Sequence, residues 1–269
     1  MISRGLVAVR GAGDLATGTI VRLFKAGFSV VAFEVPDPTV IRRTASLAKA
    51  VIAGSAVVED VEAVLVPDFR AALDMAARGR VPVLVDPSCT SLVALKPAAL
   101  VDAIVAKRNI GTTLSMAPIV VALGPGFVAG KDAHVVVETQ RGHDLGRLIY
   151  EGAAAADTGI PGVIDGHSED RVIHAPVAGR IRIICDIGSC VIRGEPMLEI
   201  IGKNRTVVVA PIDGLVRGMI RDGFPATEGM KIADVDPRCE KKHCYTISDK
   251  ARTIAGGVLE ALLALGAID

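Results

Sequence analysis

Short apolar runs, broken at regular intervals by glycine, proline and charge, dominate the first 165 positions of the chain. Leu6-Val7-Ala8-Val9 predicts a strand. Arg10 to Gly18 forms a glycine-rich turn, and a helical pattern follows with Leu15, Ile20, Leu23 and Phe24 largely on one face up to Gly27. Phe28 to Phe33 predicts a second strand ending at Glu34. Further on, Val61–Val66 reads as strand, Phe69–Ala77 as helix, and Val81–Val85 as a strand ending at Asp86. Leu100–Val105 is an apolar run bearing Asp102, and Thr39 to Thr44 reads as the start of another helix. Ile119–Leu123 and His134–Val137 predict two more strands, the second ending at Glu138-Thr139.

Strand, glycine turn, helix, strand, acid is the order of a dinucleotide-binding βαβ unit. Gly11 permits the tight turn, and Gly13 lets the backbone approach a pyrophosphate. Ala16 permits close helix–strand packing, and the free N–H groups of Ala12, Gly13, Asp14 and Leu15 face the phosphate. Glu34 stands where a ribose diol is gripped. Asp14 either caps the helix or holds a metal or a ligand hydroxyl. Arg42 and Arg43 are either a phosphate clamp or solvated helix arginines. The expected fold class is α/β, with a Rossmann-like parallel-sheet domain over residues 1–165.

Two further segments carry candidate chemistry. Gly124-Pro125-Gly126 follows a strand and is either a tight crossover or a backbone nest for an anion. Arg141-Gly142-His143-Asp144-Leu145-Gly146-Arg147 comes soon after, and His143 beside Asp144 suits general acid–base work or a metal. The plainer account of that run is a solvated helix start with local ion pairs.

From Arg171 to Asp236 the pattern changes to short strands at regular spacing, and it repeats. His174-Ala175-Pro176-Val177-Ala178-Gly179-Arg180-Ile181 is echoed by Val209-Ala210-Pro211-Ile212-Asp213-Gly214-Leu215-Val216. The two halves resemble the barrel-sandwich fold of biotinyl and lipoyl carrier domains, with Lys203 on the connecting hairpin where those domains carry their modified lysine. Gly202 and Asn204 match neither acceptor signature, so an unmodified module over 170–236 is expected, a carrier modified at Lys203 being an alternative. Residues 237–269 close the chain. In them Ser248 caps a helix through Ala255, Val258, Leu259 and Leu262, expected to return onto the α/β domain. Cys239, His243 and Cys244 do not match a common zinc spacing, and no metal site is assigned. Arg238, Lys241 and Lys242 flank Cys239 and Cys244, an arrangement that favours thiolate.

Composition narrows the picture. With 51% apolar residues but only 3% aromatic and no Trp, the core must be built from Val, Ile, Leu and Ala, which suits buried strands covered by helices. Thirty basic residues balance thirty acidic ones, which argues against a general nucleic-acid or acidic-membrane binder while leaving room for a local basic pocket. Apolar stretches end well short of a membrane span, Met1-Ile2-Ser3-Arg4-Gly5 shows no signal-peptide pattern, and five cysteines are an odd number. Reduced thiols and a cytoplasmic location are expected. A homodimer is the simplest expectation for its assembly.

Several stretches together carry a resemblance: Gly11 to Gly18, Ile41-Arg42-Arg43-Thr44, Val101-Asp102-Ala103 with Ala106-Lys107-Arg108-Asn109, Leu123 to Phe127, Glu138 to Arg147, and Ser248-Asp249-Lys250-Ala251-Arg252. The chain resembles the YqeB family of accessory proteins for selenium-dependent molybdenum hydroxylases. The resemblance implies cofactor maturation, selenium or sulfur insertion, or cofactor insertion, with the hydroxylase apoprotein as partner. A molybdopterin dinucleotide carries a pyrophosphate, so the Gly11–Ala16 turn suits it as well as NAD(P). An NAD(P)-dependent oxidoreductase is the alternative, although the sequence offers no evident hydride-acceptor site.

Overall fold

The computed structural model describes residues 5–267, so the reading of Met1-Ile2-Ser3-Arg4 lies outside the described residues. The chain divides into two compact units. The first comprises Met1–Pro38, Ser46–Thr158 and Ile247–Asp269, the second Thr39–Ala45 and Gly159–Thr246.

In the first unit, the turn after β1 (Leu6–Arg10) leads into α1 (Asp14–Lys25) and then β2 (Ser29–Glu34). There follow α2 (Lys49–Ala53), β3 (Ser55–Val58), β4 (Val61–Val66), α3 (Phe69–Ala77), β5 (Val81–Val85), α4 (Leu92–Leu95) and β6 (Ala99–Asp102). The unit continues with β7 (Ile119–Leu123), β8 (Val128–Ala129), β9 (Val135–Val137), β10 (Leu148–Ile149) and β11 (Gly152–Ala153). Its last helix, α5, is Asp249–Ala264. Nine strands make one sheet in the order β10-β9-β7-β6-β1-β2-β5-β4-β3. The interior strands pair in parallel, while β10 and β3 run antiparallel at the two edges.

The interior strands are near-continuous aliphatic runs buried on both faces. Ala8, Val31, Phe33, Leu100 and Val120 pack on the face that receives Ala72 of α3 and Leu92 and Leu95 of α4. Helix α1 packs on β1 and β2, and α5 on β7 and β9. Asp68 caps α3 by accepting from the Arg70 and Ala71 N–H groups, both at 2.9 Å, and Ser248 caps α5 through the Ala251 N–H at 3.2 Å.

This architecture corrects the expected Rossmann-like parallel domain joined to a biotinyl/lipoyl-like module. The large sheet is mixed, and helices are few. The β6–β7 connection, residues 103–118, contains a short 3₁₀ turn and no α-helix, and the β7–β9 connection passes through β8 instead of a helix. Gly111, Pro118 and the lack of an amphipathic period explain the first; Gly124, Pro125, Gly126 and Gly130 explain the second. The helix expected from Thr39 is a 3₁₀ turn at Arg43–Ala45, with α2 beginning only at Lys49.

The second unit carries β12 (Val172–His174), β13 (Gly179–Ile183), β14 (Cys190–Val191), β15 (Pro196–Ile201), β16 (Arg205–Val209), β17 (Gly214–Met219), β18 (Pro225–Ala226) and β19 (Lys231–Asp236). They form two separate four-stranded antiparallel sheets, β12-β19-β17-β14 and β16-β15-β13-β18. The unit reaches beyond 170–236 at both ends and also takes in Thr39–Ala45. Its core is Met197, Leu198, Ile200, Leu215, Val216 and Met219 with their neighbours. Lys203 lies exposed in the turn joining β15 to β16.

Helices α1 and α5 approach at Gly18, where an added Cβ would stand 2.8 Å from the Ala251 Cβ and 2.9 Å from the Ala251 carbonyl oxygen. A larger residue must push the helices apart. Gly18→Val is therefore expected to lower stability by about 1–3 kcal/mol, the usual cost of overpacking, read from the midpoint of chemical denaturation.

Candidate functional site

The glycine turn sits at the carboxyl end of β1. Gly11 takes φ +100°, its N–H donates to the Phe33 carbonyl at 2.7 Å, and its Cα faces the backbone of Ala103 and Ile104. The Ala12 carbonyl accepts from Ser46 Oγ at 2.8 Å, Thr17 Oγ1 at 3.1 Å and the Ala48 N–H at 2.8 Å, which pins the turn from behind. Ala16 is fully buried, as its place in close packing requires. Gly13 is the N-cap of α1, and a Cβ there would meet nothing within 4 Å. The first helical bond runs from the Thr17 N–H to the Gly13 carbonyl, so the N–H groups of Asp14, Leu15 and Ala16 precede it. Asp14 is the first helical residue, not the cap, which corrects one of its two expected roles.

Glu34 does something the sequence did not suggest. Its Oε1 accepts from the Ala12 N–H at 2.9 Å and its Oε2 from the Val35 N–H at 2.7 Å, so the carboxylate staples the turn. Burial pushes its pKa up, and the two N–H donors oppose that shift.

Beside the turn lies a buried polar network. Arg10, at the end of β1, donates to Asp102 at 3.4 Å, to Thr112 Oγ1 at 2.9 Å, and to the carbonyls of Pro87 and Ile110 at 3.1 and 3.2 Å. Thr112 donates to Asp102 Oδ2 at 2.5 Å, and Asp102 Oδ1 accepts from the Ile104 N–H. Cys89 is buried close by, its thiol pushed up to about 12 by burial despite the Arg10 charge. Such a thiol stays protonated at neutral pH. Cys89 also lines a groove of about 680 Å³ with Leu92, Lys96, Ser115 and Met116, where the β6–β7 connection lacks a helix.

The second glycine loop adjoins the same edge. A Cβ at Gly126 would fall 2.4 Å from the Arg108 Cα, so this loop seats the 103–112 backbone. Gly124 faces the Thr139 side chain in the same way. Glu138 is buried and accepts from the N–H groups of Thr139, Gln140 and Ala155 at 2.6–2.7 Å. Arg141 forms a two-pronged ion pair with Asp249 at the start of α5, at 2.7 and 2.9 Å. His143 is exposed with no hydrogen bond or ion pair among the described residues, and Asp144 pairs with Arg147 at 3.1 Å. The 141–147 stretch is a series of turns, so neither a helix nor a His143–Asp144 pair forms.

Lys250 belongs to this neighbourhood too, although its place in the sequence suggests no role for it. Burial lowers its pKa first, and the Arg141 charge lowers it further, while Asp14, Glu138 and Asp157 raise it. It therefore links the start of α1, the end of β9 and the start of α5 in one electrostatic neighbourhood.

The remaining candidates lie in the second unit. Arg42 is buried and donates to the His243 and Thr246 carbonyls at 2.8 and 3.0 Å, which makes it a structural clamp there. Cys244 is fully buried, and burial pushes its pKa up although Arg217 and Arg42 oppose the shift. The expected thiolate at Cys244 is thereby corrected: desolvation outweighs the cations. Cys239 is exposed, in a left-handed backbone conformation at φ +55°. Among the described residues no three His, Cys, Asp or Glu side chains gather to hold a metal ion. No helix is long and apolar enough to cross a membrane.

The class of protein so defined is a two-unit, sheet-rich chain, one unit built on a large mixed sheet and the other on two antiparallel sheets, with a glycine turn, a buried arginine network and two helix starts in the first. The chain is 50% identical over 260 residues to the uncharacterized protein YqeB of Escherichia coli (strain K12), and the expected kinship with YqeB is shown over that stretch. The match takes in 97% of this chain and 48% of YqeB, so the chain spans about half the length of that relative. No family model matches. Among solved structures, the product-bound ectoine utilization protein EutE (DoeB) of Ruegeria pomeroyi is 13% identical at a TM-score of 0.28, over 87% of this chain and 85% of that one. A succinylglutamate desuccinylase/aspartoacylase of Rhodobacter sphaeroides is 13% identical at 0.26, over 82% and 61%. At that level of superposition the likeness carries no inference for this chain.

Two outcomes follow from these environments. In a timed alkylation of the native chain read by peptide mass, exposed Cys239 and Cys190 are expected to label while Cys89 and Cys244 stay protected until denaturant is added. Rapid labelling of Cys244 in the native state contradicts its burial. For Lys250, the unfolded chain binds more protons than the folded one between the lowered folded pKa and the ordinary 10.5. The stability that this lysine withholds at neutral pH therefore returns as pH rises through that window. Lys250→Met is expected to raise the denaturation midpoint at pH 7, with the gain shrinking toward pH 10. An unchanged midpoint at both pH values counts against the burial.

Proposed function

We propose that the chain is an accessory protein in the maturation of a molybdenum hydroxylase, selenium-dependent in the resemblance noted above, and that it holds a nucleotide or dinucleotide-type cofactor on its N-terminal glycine turn. The observation that carries the binding half is Gly13, the α1 cap with open space at its Cβ position and three early helix N–H groups beyond it. Such a terminus attracts phosphate through its early N–H donors and the helix dipole. Gly11 and Gly126, by contrast, are glycines because another backbone lies against them. The accessory role rests on the kinship with YqeB and on the family resemblance; a molybdopterin dinucleotide and NAD(P) both present the required pyrophosphate.

Gly13→Val is the direct test. The native φ of −66° is open to valine and the new Cβ touches no protein atom, so the fold is expected to persist, with a melting temperature lowered by about 2–4 °C for the poorer N-cap. The two methyl groups occupy the space a pyrophosphate needs, and calorimetric titration with NAD⁺, NADP⁺ and molybdopterin cytosine dinucleotide is expected to show binding lost. Equal affinity of the variant and the wild type for whichever of these binds means the turn is structural only. Preference within the panel separates a cofactor-handling protein from a nicotinamide oxidoreductase.

A further inference from the structure

An open sheet ends in strands whose outer peptide groups need either a partner or a device that turns partners away. Most strand edges of this chain are blunted. β10, β14 and β18 are two residues long, and β12 has three residues with a register shift at His174. β8 and β11 are two-residue strands paired with each other. β3 runs for four residues and is closed at both ends by the left-handed residues Gly54 and Glu59. β16, Arg205–Val209, is the exception. It has five residues and neither proline nor lysine, and no further strand pairs with it among the described residues. The register shift of its ladder falls in β15, between Pro196 and Leu198, so β16 itself is regular.

The ladder fixes where its peptide groups point. Ile181 in β13 gives its N–H to the Phe224 carbonyl and accepts from the Gly223 N–H, both on the β18 side. Ile200, its opposite number in β15, therefore bonds on the other side, to Thr206 of β16. Alternation then turns the peptides of Arg205 and Val207 out of the sheet. The side chains of Arg205, Val207 and Val209 share the outer face, while Val208 is buried beneath. Val207 and Val209 are 48% and 45% exposed, and Ile201, which faces Arg205 across the ladder, is 42% exposed. Arg205 and Arg182 close over the buried carboxylate of Glu199, so the Arg205 charge is already answered within its own chain.

We infer that β16 is an interface between two copies of this chain, paired antiparallel about a two-fold axis at Val207, so that two four-stranded sheets continue into one of eight strands. The occupant is a second copy because the strand is complementary to itself. With Val207 facing its own counterpart, Arg205 of each copy faces the aliphatic Val209 of the other. The two Arg205 residues then stand about 13 Å apart along the strands, four residues at the usual rise. Val207, Val209 and Ile201 of both copies meet on one face, which covers the apolar side chains left open in the single chain. A contact of one short strand is smaller than a standard interface, so the dimer is reversible and concentration-dependent.

Sedimentation velocity of the full chain over a wide concentration range is expected to show a monomer–dimer equilibrium. Val207→Lys changes an exposed side chain and sets two ammonium groups against each other at the axis. It is expected to weaken dimerisation by about tenfold or more at unchanged melting temperature. Val207→Cys places the thiol opposite its own copy, where the Cα atoms of a hydrogen-bonded antiparallel pair lie about 5.5 Å apart, within disulfide reach. Mild oxidation of that variant is expected to give a covalent dimer whose bridging peptide, read by mass, joins position 207 to itself, a link that the exposed Cys190 and Cys239 of the wild type cannot produce. A wild-type chain that stays monomeric at every concentration overturns the inference. So does a dimer that Val207→Lys leaves intact, or one in which position 207 bridges only to other cysteines. Ligand binding at the glycine turn is read separately and stands or falls without this interface.

Discussion

One buried guanidinium organises the first unit. Arg10 reaches from the end of β1 to Asp102 at the end of β6, to the Pro87 carbonyl after β5, and to two points of the long connection before β7. Four stretches of chain distant in sequence are thereby held at one sheet edge by a side chain that is almost wholly out of water. Removing one partner of such a pair leaves an uncompensated buried charge, at a cost of about 3–5 kcal/mol. An aliphatic replacement for the whole network would pack, but it would not offer directional bonds to the Ile110 carbonyl and Thr112. The network specifies which way the connection folds more than it adds to stability.

With that edge fixed, the roles of the glycines separate by what lies over each one. Gly11 and Gly126 have backbone neighbours, Gly124 has a threonine, and of these four glycines only Gly13 has space. Glu34 divides in the same manner: a carboxylate at the end of β2 would ordinarily face a ligand hydroxyl, yet both oxygens here turn back on the peptide backbone. The glycine turn is therefore held in place by the protein's own groups.

The local elements were legible. Val61–Val66, Phe69–Ala77, Val81–Val85 and Ile119–Leu123 appear with the limits their apolar patterns indicate, because each is a locally patterned run closed by a charge, a glycine or a proline. So was the Ser248 cap. The sheet as a whole was not, since β3 and β10 are short edge strands whose reversal depends on long-range pairing and not on periodicity. Nor was the Arg10 network: an arginine after an apolar strand looks like a solvated end, and only the fold brings Asp102 and Thr112 to it. Cys244 misled for the same reason, as flanking cations are visible in sequence and burial is not.

The pairing of α1 with α5 has a bearing on how the chain comes to be folded. Arg22 in α1 donates to the Arg252 carbonyl in α5, a contact spanning 230 positions. The layer that covers one face of the sheet is thus completed only once Asp249–Ala264 has been made. Until then β7 and β9 keep an apolar face without its helix, while the second unit, whose strands end at Asp236, already has its own core residues available. During synthesis the sheet that begins first is thus covered only after the residues of the second unit have emerged, and in that interval its apolar face is exposed.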